Sequence, residues 1–238
     1  MWSGPRNIST AMMRSWGNRP DTVVCDEPLY AHYLAKTGLD HPGAREVIEA
    51  GETDWRAVVA WLTGPVPGGK AIFYQKQMAH HLLPEIDRAW LDHVDHAFLI
   101  RDPREMLTSL IDFLPEPTLE DTGLPQQVEI FERVKRRIGR VPPVIDSRDV
   151  LRDPEGQLRP LCGALGAAFR EEMLSWPAGT RDTDGVWATH WYANVERSTT
   201  FRPWAPKKVA LPERLEGLHT ECLGYYERLH RHRLGVER

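Results

Sequence analysis

The sequence predicts an α/β fold of three layers, a central parallel sheet of about five strands between helices. Three observations lead there. Helical patterns alternate with short β-branched or aromatic runs along the chain, the order that builds parallel strands joined by helices. The apolar runs close on turn residues, as in Cys25-Asp26-Glu27-Pro28 and Ile100-Arg101-Asp102-Pro103. Near the start, a Gly4-Pro5 turn leads directly into a helix-forming run.

The elements follow in order. Residues 7–18 read as a helix, and Thr22–Asp26 as a buried strand ending at Glu27-Pro28. Helical segments are expected at about 28–37, 43–50 and 54–63, and Ala71–Lys76 is the next strand. Pro84–His93 reads as a helix with proline at its first position, where the missing N–H costs nothing. His96–Ile100 is the clearest strand. A helix then runs to about Phe113 and another from Pro125 to Arg140. Val144–Asp146 is a short strand, and Asp153–Leu165 and 212–233 are helical. Residues 176–210 show little periodicity. An irregular segment of that length is usually functional or disordered, and its aromatic content favours an ordered one. The opening turn normally follows a strand, yet only Met1 and Trp2 precede it, so either the start is placed late or the first strand is truncated.

Composition narrows the function. The chain has 238 residues, 41% of them hydrophobic and 27% charged, as in ordinary globular domains. One domain over 1–238 is expected, with a ligand-binding core in 1–115 and residues 176–210 as a cover. The net charge of −4 gives no global attraction for nucleic acid, so any anion site must be a local basic pocket. Three widely spaced cysteines fit a reducing, cytoplasmic setting, and no apolar run reaches the length of a membrane span. No His, Cys or carboxylate spacing suggests a metal, so none is expected.

The most chemically pointed stretch is residues 2–15. A turn at Gly4 and Pro5 leads to Arg6, then to Ser9 and Thr10 at the start of a helix. Backbone N–H groups of the turn and helix N-terminus would converge where the helix dipole also favours an anion. Arg6 adds a planar charge suited to phosphate or sulfate oxygens. The stretch cannot be written as G-x-x-x-x-G-K-[ST], so an ordinary ATPase loop is not expected.

Pro5-Arg6-Asn7-Ile8-Ser9-Thr10-Ala11-Met12-Met13-Arg14 resembles the 5′-phosphosulfate loop of the sulfotransferases, especially its tyrosylprotein form. Phe98-Leu99-Ile100-Arg101-Asp102-Pro103, continued to Ser109, resembles the family's second signature. The resemblance implies a P-loop-like sulfotransferase architecture, with 3′-phosphoadenosine 5′-phosphosulfate as co-substrate. It implies that Pro5, Arg6, Asn7, Ile8, Ser9 and Thr10 hold the 5′ end, and that Arg101 and Ser109 hold the 3′-phosphate. Independently, Arg101 at a strand's C-terminal end lies where open α/β sheets bind ligands. Two departures stand out. Ile8 replaces the family's usual glycine, and the C-terminal Arg-Lys-Gly element has no match, its nearest counterparts being 197–202 and Lys207-Lys208.

The expected reaction moves a sulfuryl group to a hydroxyl or amine of a small-molecule acceptor. Arg6 would stabilise the leaving phosphate. The proton would go to one of the histidines His80 and His81, within Tyr74–Pro84, which resembles the family's Lys-Thr-His-Leu-Pro segment and also offers Lys76, or to Glu27 at the end of the second strand. His80 is preferred because imidazole titrates near neutrality. Two rivals remain: a Mg²⁺-dependent kinase on a degenerate loop, and a nucleotide- or anion-binding protein without catalysis.

Overall fold

The structure is a computed structural model, and it describes residues 1–206 and 210–235. Five strands form a parallel sheet in the order β2-β3-β1-β4-β5, flanked by helices, as the sequence predicts. In chain order these are β1 (Trp2–Ser3), α1 (Ser9–Gly17), β2 (Thr22–Asp26), α2 (Tyr30–Thr37), α3 (Ala44–Ala50), α4 (Trp55–Leu62), β3 (Ile72–Met78), β4 (Phe98–Ile100) and α5 (Pro103–Leu110). Then come α6 (Leu124–Ile138), β5 (Val144–Asp146), α7 (Ser147–Arg152), α8 (Pro154–Ala164), α9 (Ala188–Trp191), α10 (Ala193–Glu196) and α11 (Glu216–His230). Two compact units divide the chain. The first comprises Met1, Thr10–Val94 and Arg170–Phe201, and the second Trp2–Ser9, Asp95–Phe169 and Arg202–Arg238.

In the first unit, β2 pairs with β3 in parallel register from Thr22 opposite Ile72 to Asp26 opposite Lys76. Helix α1 buries Met12, Met13 and Trp16, and the Trp16 indole stacks on Tyr74 with centroids 5.4 Å apart. Helices α2 and α3 meet through Tyr30, Tyr33, Leu34 and Val47. The segment 170–201 is tied down by polar contacts. Arg14 on α1 makes a two-pronged ion pair with Asp184 (2.5 and 2.7 Å), and the Ser15 hydroxyl donates to the Met173 carbonyl at 2.7 Å. Within 176–206, the described part of the irregular stretch, the chain carries α9 and α10.

In the second unit, β4 pairs in parallel with β1 and with β5. Phe98, Leu99 and Ile100 are completely buried, as expected of a parallel strand covered on both faces. Met106, Leu107 and Leu110 of α5 pack with Leu124 of α6 and with Leu211, Leu215 and Cys222. Burying a side chain of this size stabilises by about 1.5–3 kcal/mol relative to exposure, so α5 is firmly held and places its other face with little freedom.

Several expectations are corrected. Pro84–His93 is not an α-helix, and only Ala89–His93 forms a short 3₁₀ turn. The Arg88 guanidinium gathers the carbonyls of Leu82, Leu83 and Ile86, and the Asp87 carboxylate accepts from the Ala89 N–H. Those bonds satisfy the backbone in a non-helical turn. Helix α5 ends at Leu110, short of Phe113, and the chain goes on in turns in which the Phe113 and Leu114 N–H groups both donate to the Leu110 carbonyl at 2.9 Å. Helix α7 was not expected at all. It is short, and its start is set by the Asp146 carboxylate capping the Arg148 N–H.

Candidate active site

The opening loop follows the C-terminal end of β1 and turns into α1. Arg6 (φ 61°) and Ile8 (φ 60°) both lie in the left-handed region. Alternation of hand along a short stretch turns successive N–H groups toward one side, the arrangement known to cradle anions. Glycine is the residue for which such a conformation is free. A β-branched residue there carries a strain of about 1–2 kcal/mol. Thus Ile8, where the resemblance leads one to expect glycine, takes up a conformation that glycine adopts without strain.

Neighbouring groups hold this loop. The Asn7 amide donates to the Leu99 carbonyl at 3.3 Å, and the buried Ser147 hydroxyl lies 3.0 Å from the Asn7 carbonyl and 2.8 Å from that of Ile100. The backbone passes close to its surroundings at Gly4, where a Cβ would lie 2.3 Å from the Thr122 carbonyl oxygen. Strain at positions 6 and 8 therefore persists because packing and hydrogen bonds over-determine the loop.

The side chains of Arg6, Arg101 and Ser109 converge. Arg6 Nε donates to Ser109 Oγ at 3.0 Å, and Arg101 Nη1 donates to the Arg6 carbonyl at 2.6 Å. The Arg6 guanidinium also stacks over the Phe113 ring at 4.6 Å. Burial and the nearby Arg101 charge weaken the hold of Arg6 on its proton, with Asp112 acting in the opposite sense. Two guanidiniums of like charge brought to one place suit an anion. Asn7 and Ser9 are buried, whereas Pro5, Ile8 and Thr10 are half-buried, and Ser9 and Thr10 open α1.

Arg101 does not cap its helix. That task falls to Asp102, whose carboxylate accepts from the N–H groups of Arg104 and Glu105. Instead, Arg101 Nε and Nη2 both donate to Glu105 Oε2 at 3.2 Å. The other oxygen, Glu105 Oε1, accepts from Trp204 Nε1 at 3.1 Å.

The first unit holds a second constellation. Lys76 Nζ donates to Asp26 Oδ1 (2.8 Å), Glu27 Oε1 (2.6 Å) and the Tyr192 hydroxyl oxygen (2.6 Å). The Tyr192 hydroxyl in turn donates to Asp26 Oδ2 at 2.6 Å. The Lys76 and Asp26 side chains are 2% and 1% exposed, and that of Glu27 is 12%. Burial opposes the Lys76 charge, but Asp26, Glu27 and Tyr192 outweigh it and hold the ammonium well above its usual range. Burial, helped by Asp26 and opposed by Lys76, raises the Glu27 carboxyl. Glu27 also sits at φ 41°, a third strained residue just past the end of a strand.

The candidate proton acceptors are thus separated by their surroundings. Lys76 and Glu27 touch. His80 lies in the turn after β3, edge-on to Tyr33 (5.3 Å) and to His81 (4.4 Å). His81 is buried between Tyr30 and Tyr33, and burial, then His80, His41 and Lys76, keep it neutral. Reading the sequence missed Glu105, Phe113, Ser147, Tyr192 and Trp204. Glu105 had a visible signal, since it lies in the first turn of the helix that opens just after Arg101. Tyr192, 116 positions from Lys76, had none. The counterparts Lys207-Lys208 lie outside the described residues. No described helix is long and apolar enough to cross a membrane.

The chain has relatives among known proteins. The chain is 39% identical over 207 residues to Branched-chain-amino-acid aminotransferase-like protein 1 of Arabidopsis thaliana, covering 87% of this chain and 36% of that protein. It is 34% identical over 231 residues to protein 2 of the same name and plant, covering 97% and 41%. The chain therefore spans well under half the length of these curated relatives. Its fold is shared with the sulfotransferase domain from the Synechococcus PCC 7002 olefin synthase (TM-score 0.59, 18% identity, 95% of this chain and 92% of that one). The sulfotransferase domain from the curacin biosynthetic pathway is equally similar in fold (TM-score 0.60, 15% identity, 94% of each chain). A family model described as Sulfotransferase domain matches residues 1–230, the stretch that carries the strained loop, Arg101 and Ser109, and the chain belongs to the sulfotransferase family.

Proposed function

We propose that this chain transfers a sulfuryl group from 3′-phosphoadenosine 5′-phosphosulfate to a hydroxyl or amine of a small-molecule acceptor. The observation that carries this reading is the convergence of Arg6, Arg101 and Ser109 beside a loop with two left-handed residues. Pro5, Arg6, Asn7, Ile8, Ser9 and Thr10 would take the phosphosulfate end, and Arg101 and Ser109 the 3′-phosphate. In the reaction a bond forms between the acceptor's heteroatom and sulfur. The bond from sulfur to the bridging oxygen breaks, and the electron pair leaves on the 5′-phosphate of adenosine 3′,5′-bisphosphate. Arg6 and the loop N–H groups stabilise that charge, and removing one such donor typically costs about 2.7–4 kcal/mol of barrier. As in phosphoryl transfer, positioning and charge stabilisation carry most of the catalysis.

Glu27 takes the acceptor's proton in this reading. Its raised proton affinity, its partial exposure and its strained backbone support the assignment better than the aromatic packing of His80. Lys76 then acts through Glu27 as a positioning residue.

The test is calorimetric titration of the wild type and Arg101→Ala with adenosine 3′,5′-bisphosphate, 5′-AMP, and ATP with Mg²⁺. The wild type should prefer the bisphosphate to 5′-AMP, and Arg101→Ala should erase that preference. Tighter binding of ATP with Mg²⁺ would favour the kinase reading. Equal affinity for bisphosphate and 5′-AMP in the wild type refutes the donor assignment.

A further inference from the structure

Arg101 is already engaged. A guanidinium has five N–H bonds. Three of its nitrogens each spend one of them, Nε and Nη2 on Glu105 Oε2 and Nη1 on the Arg6 carbonyl. Glu105 is not there by accident of a flexible side chain. It sits on α5, is 12% exposed, and has its second oxygen held by Trp204 Nε1. Arg148 Nη2 approaches that same oxygen at 3.8 Å and Asp102 Oδ2 at 3.4 Å. The Trp204 ring is covered by the guanidiniums of Arg152 (4.4 Å) and Arg148 (5.4 Å). A carboxylate is therefore fixed against the arginine offered to the ligand, and it is held by groups that do not depend on the ligand.

Resting on the donor reading above, we propose that Glu105 is the affinity-setting residue of the 3′-phosphate subsite. Its carboxylate is a built-in counter-ion that competes with the ligand's 3′-phosphate for Arg101. The physical argument is one of sign. A fixed negative charge beside Arg101 repels a dianionic phosphate and already occupies two of the five N–H groups that phosphate could use. It also keeps two clustered arginines from standing uncompensated before the ligand arrives. The subsite is thus weaker than its arginines alone would make it, and adenosine 3′,5′-bisphosphate, the product that retains the 3′-phosphate, leaves faster. Differences in affinity within one site fall mostly on the dissociation rate.

The experiment compares the full-length wild type, Glu105→Gln and Glu105→Ala. Titration with adenosine 3′,5′-bisphosphate and with 5′-AMP is paired with stopped-flow dissociation of the bisphosphate. Both variants should bind the bisphosphate on the order of tenfold tighter, about 1.4 kcal/mol. Its dissociation should slow by a similar factor, while 5′-AMP affinity stays unchanged. Unchanged or weaker bisphosphate binding overturns the proposal, as does equal tightening of both nucleotides. Loss of folding in both variants, followed by circular dichroism, also overturns it, because a tuning charge is dispensable to the fold and a structural one is not. A wild type that prefers the bisphosphate, with variants that do not tighten, refutes only the role of Glu105. A wild type without that preference refutes the donor reading and this proposal with it.

Discussion

Replacing Lys76 by methionine isolates the energetics of the buried network. The substitution keeps volume and removes a cation that contacts Asp26, Glu27 and the Tyr192 hydroxyl within 2.8 Å. Asp26, with a side chain 1% exposed, then shares a low-dielectric site with Glu27 and no cation between them. Breaking a buried ion pair from one side costs about 3–5 kcal/mol. The cost depends on pH in a defined sense. In the wild type, burial and Asp26 raise the Glu27 carboxyl while Lys76 lowers it. In Lys76→Met only the raising causes remain. A carboxyl whose folded pKa exceeds its unfolded value of about 4.3 supports stability fully below that value and loses the contribution as pH rises through the folded pKa. The penalty should therefore be smaller at pH 5 than at pH 8. Lys76 itself keeps its charge throughout that window, since its pKa is raised well above the usual one. Urea denaturation at the two pH values, with the slope m compared between wild type and variant, reads the difference directly. A penalty below about 1 kcal/mol, the same at both pH values, or larger at pH 5 refutes the reasoning.

Three further outcomes are expected. Gly4→Ala should destabilise by about 1–3 kcal/mol in a chemical melt and weaken bisphosphate binding, since the new Cβ would meet the Thr122 carbonyl at 2.3 Å. Ile8→Gly should be more stable than Ile8→Ala by about 1 kcal/mol, because only glycine is unstrained at φ 60°. At an ordinary φ the order would be reversed, so a thermal melt of the two variants decides it. Asp184→Ala leaves Arg14, 3% exposed, without its carboxylate. It should cost about 3–5 kcal/mol and speed tryptic cleavage at Arg181, whose N–H the same carboxylate accepts at 2.8 Å.

How far the sequence reaches is clearest at individual residues. The bounds of Thr22–Asp26 and Val144–Asp146 match their strands because short β-branched runs between turn residues are local signals. Arg101 and Ser109 were paired through the family resemblance, and their places at a strand end and on the following helix were legible because such short-range positions follow regular geometry. The short turn in place of a helix at Pro84–His93 was not legible. It depends on one arginine drawing three carbonyls together, and periodicity does not report that.

By itself, then, the sequence determined the α/β class, the order of most of its elements and the two motifs that carry the family resemblance. These are written in patterns spanning a few residues to a few turns of helix. Only the tertiary structure decided that Ile8 takes up a glycine-like conformation, that Arg101 is held by Glu105, and that Glu27 rather than His80 shares the Lys76 network. Each of those facts depends on side chains meeting through space, where burial and neighbouring charge set the energies. Glu105 lies four residues from Arg101 but 99 from the Trp204 that fixes it. No local pattern encodes a contact of that separation.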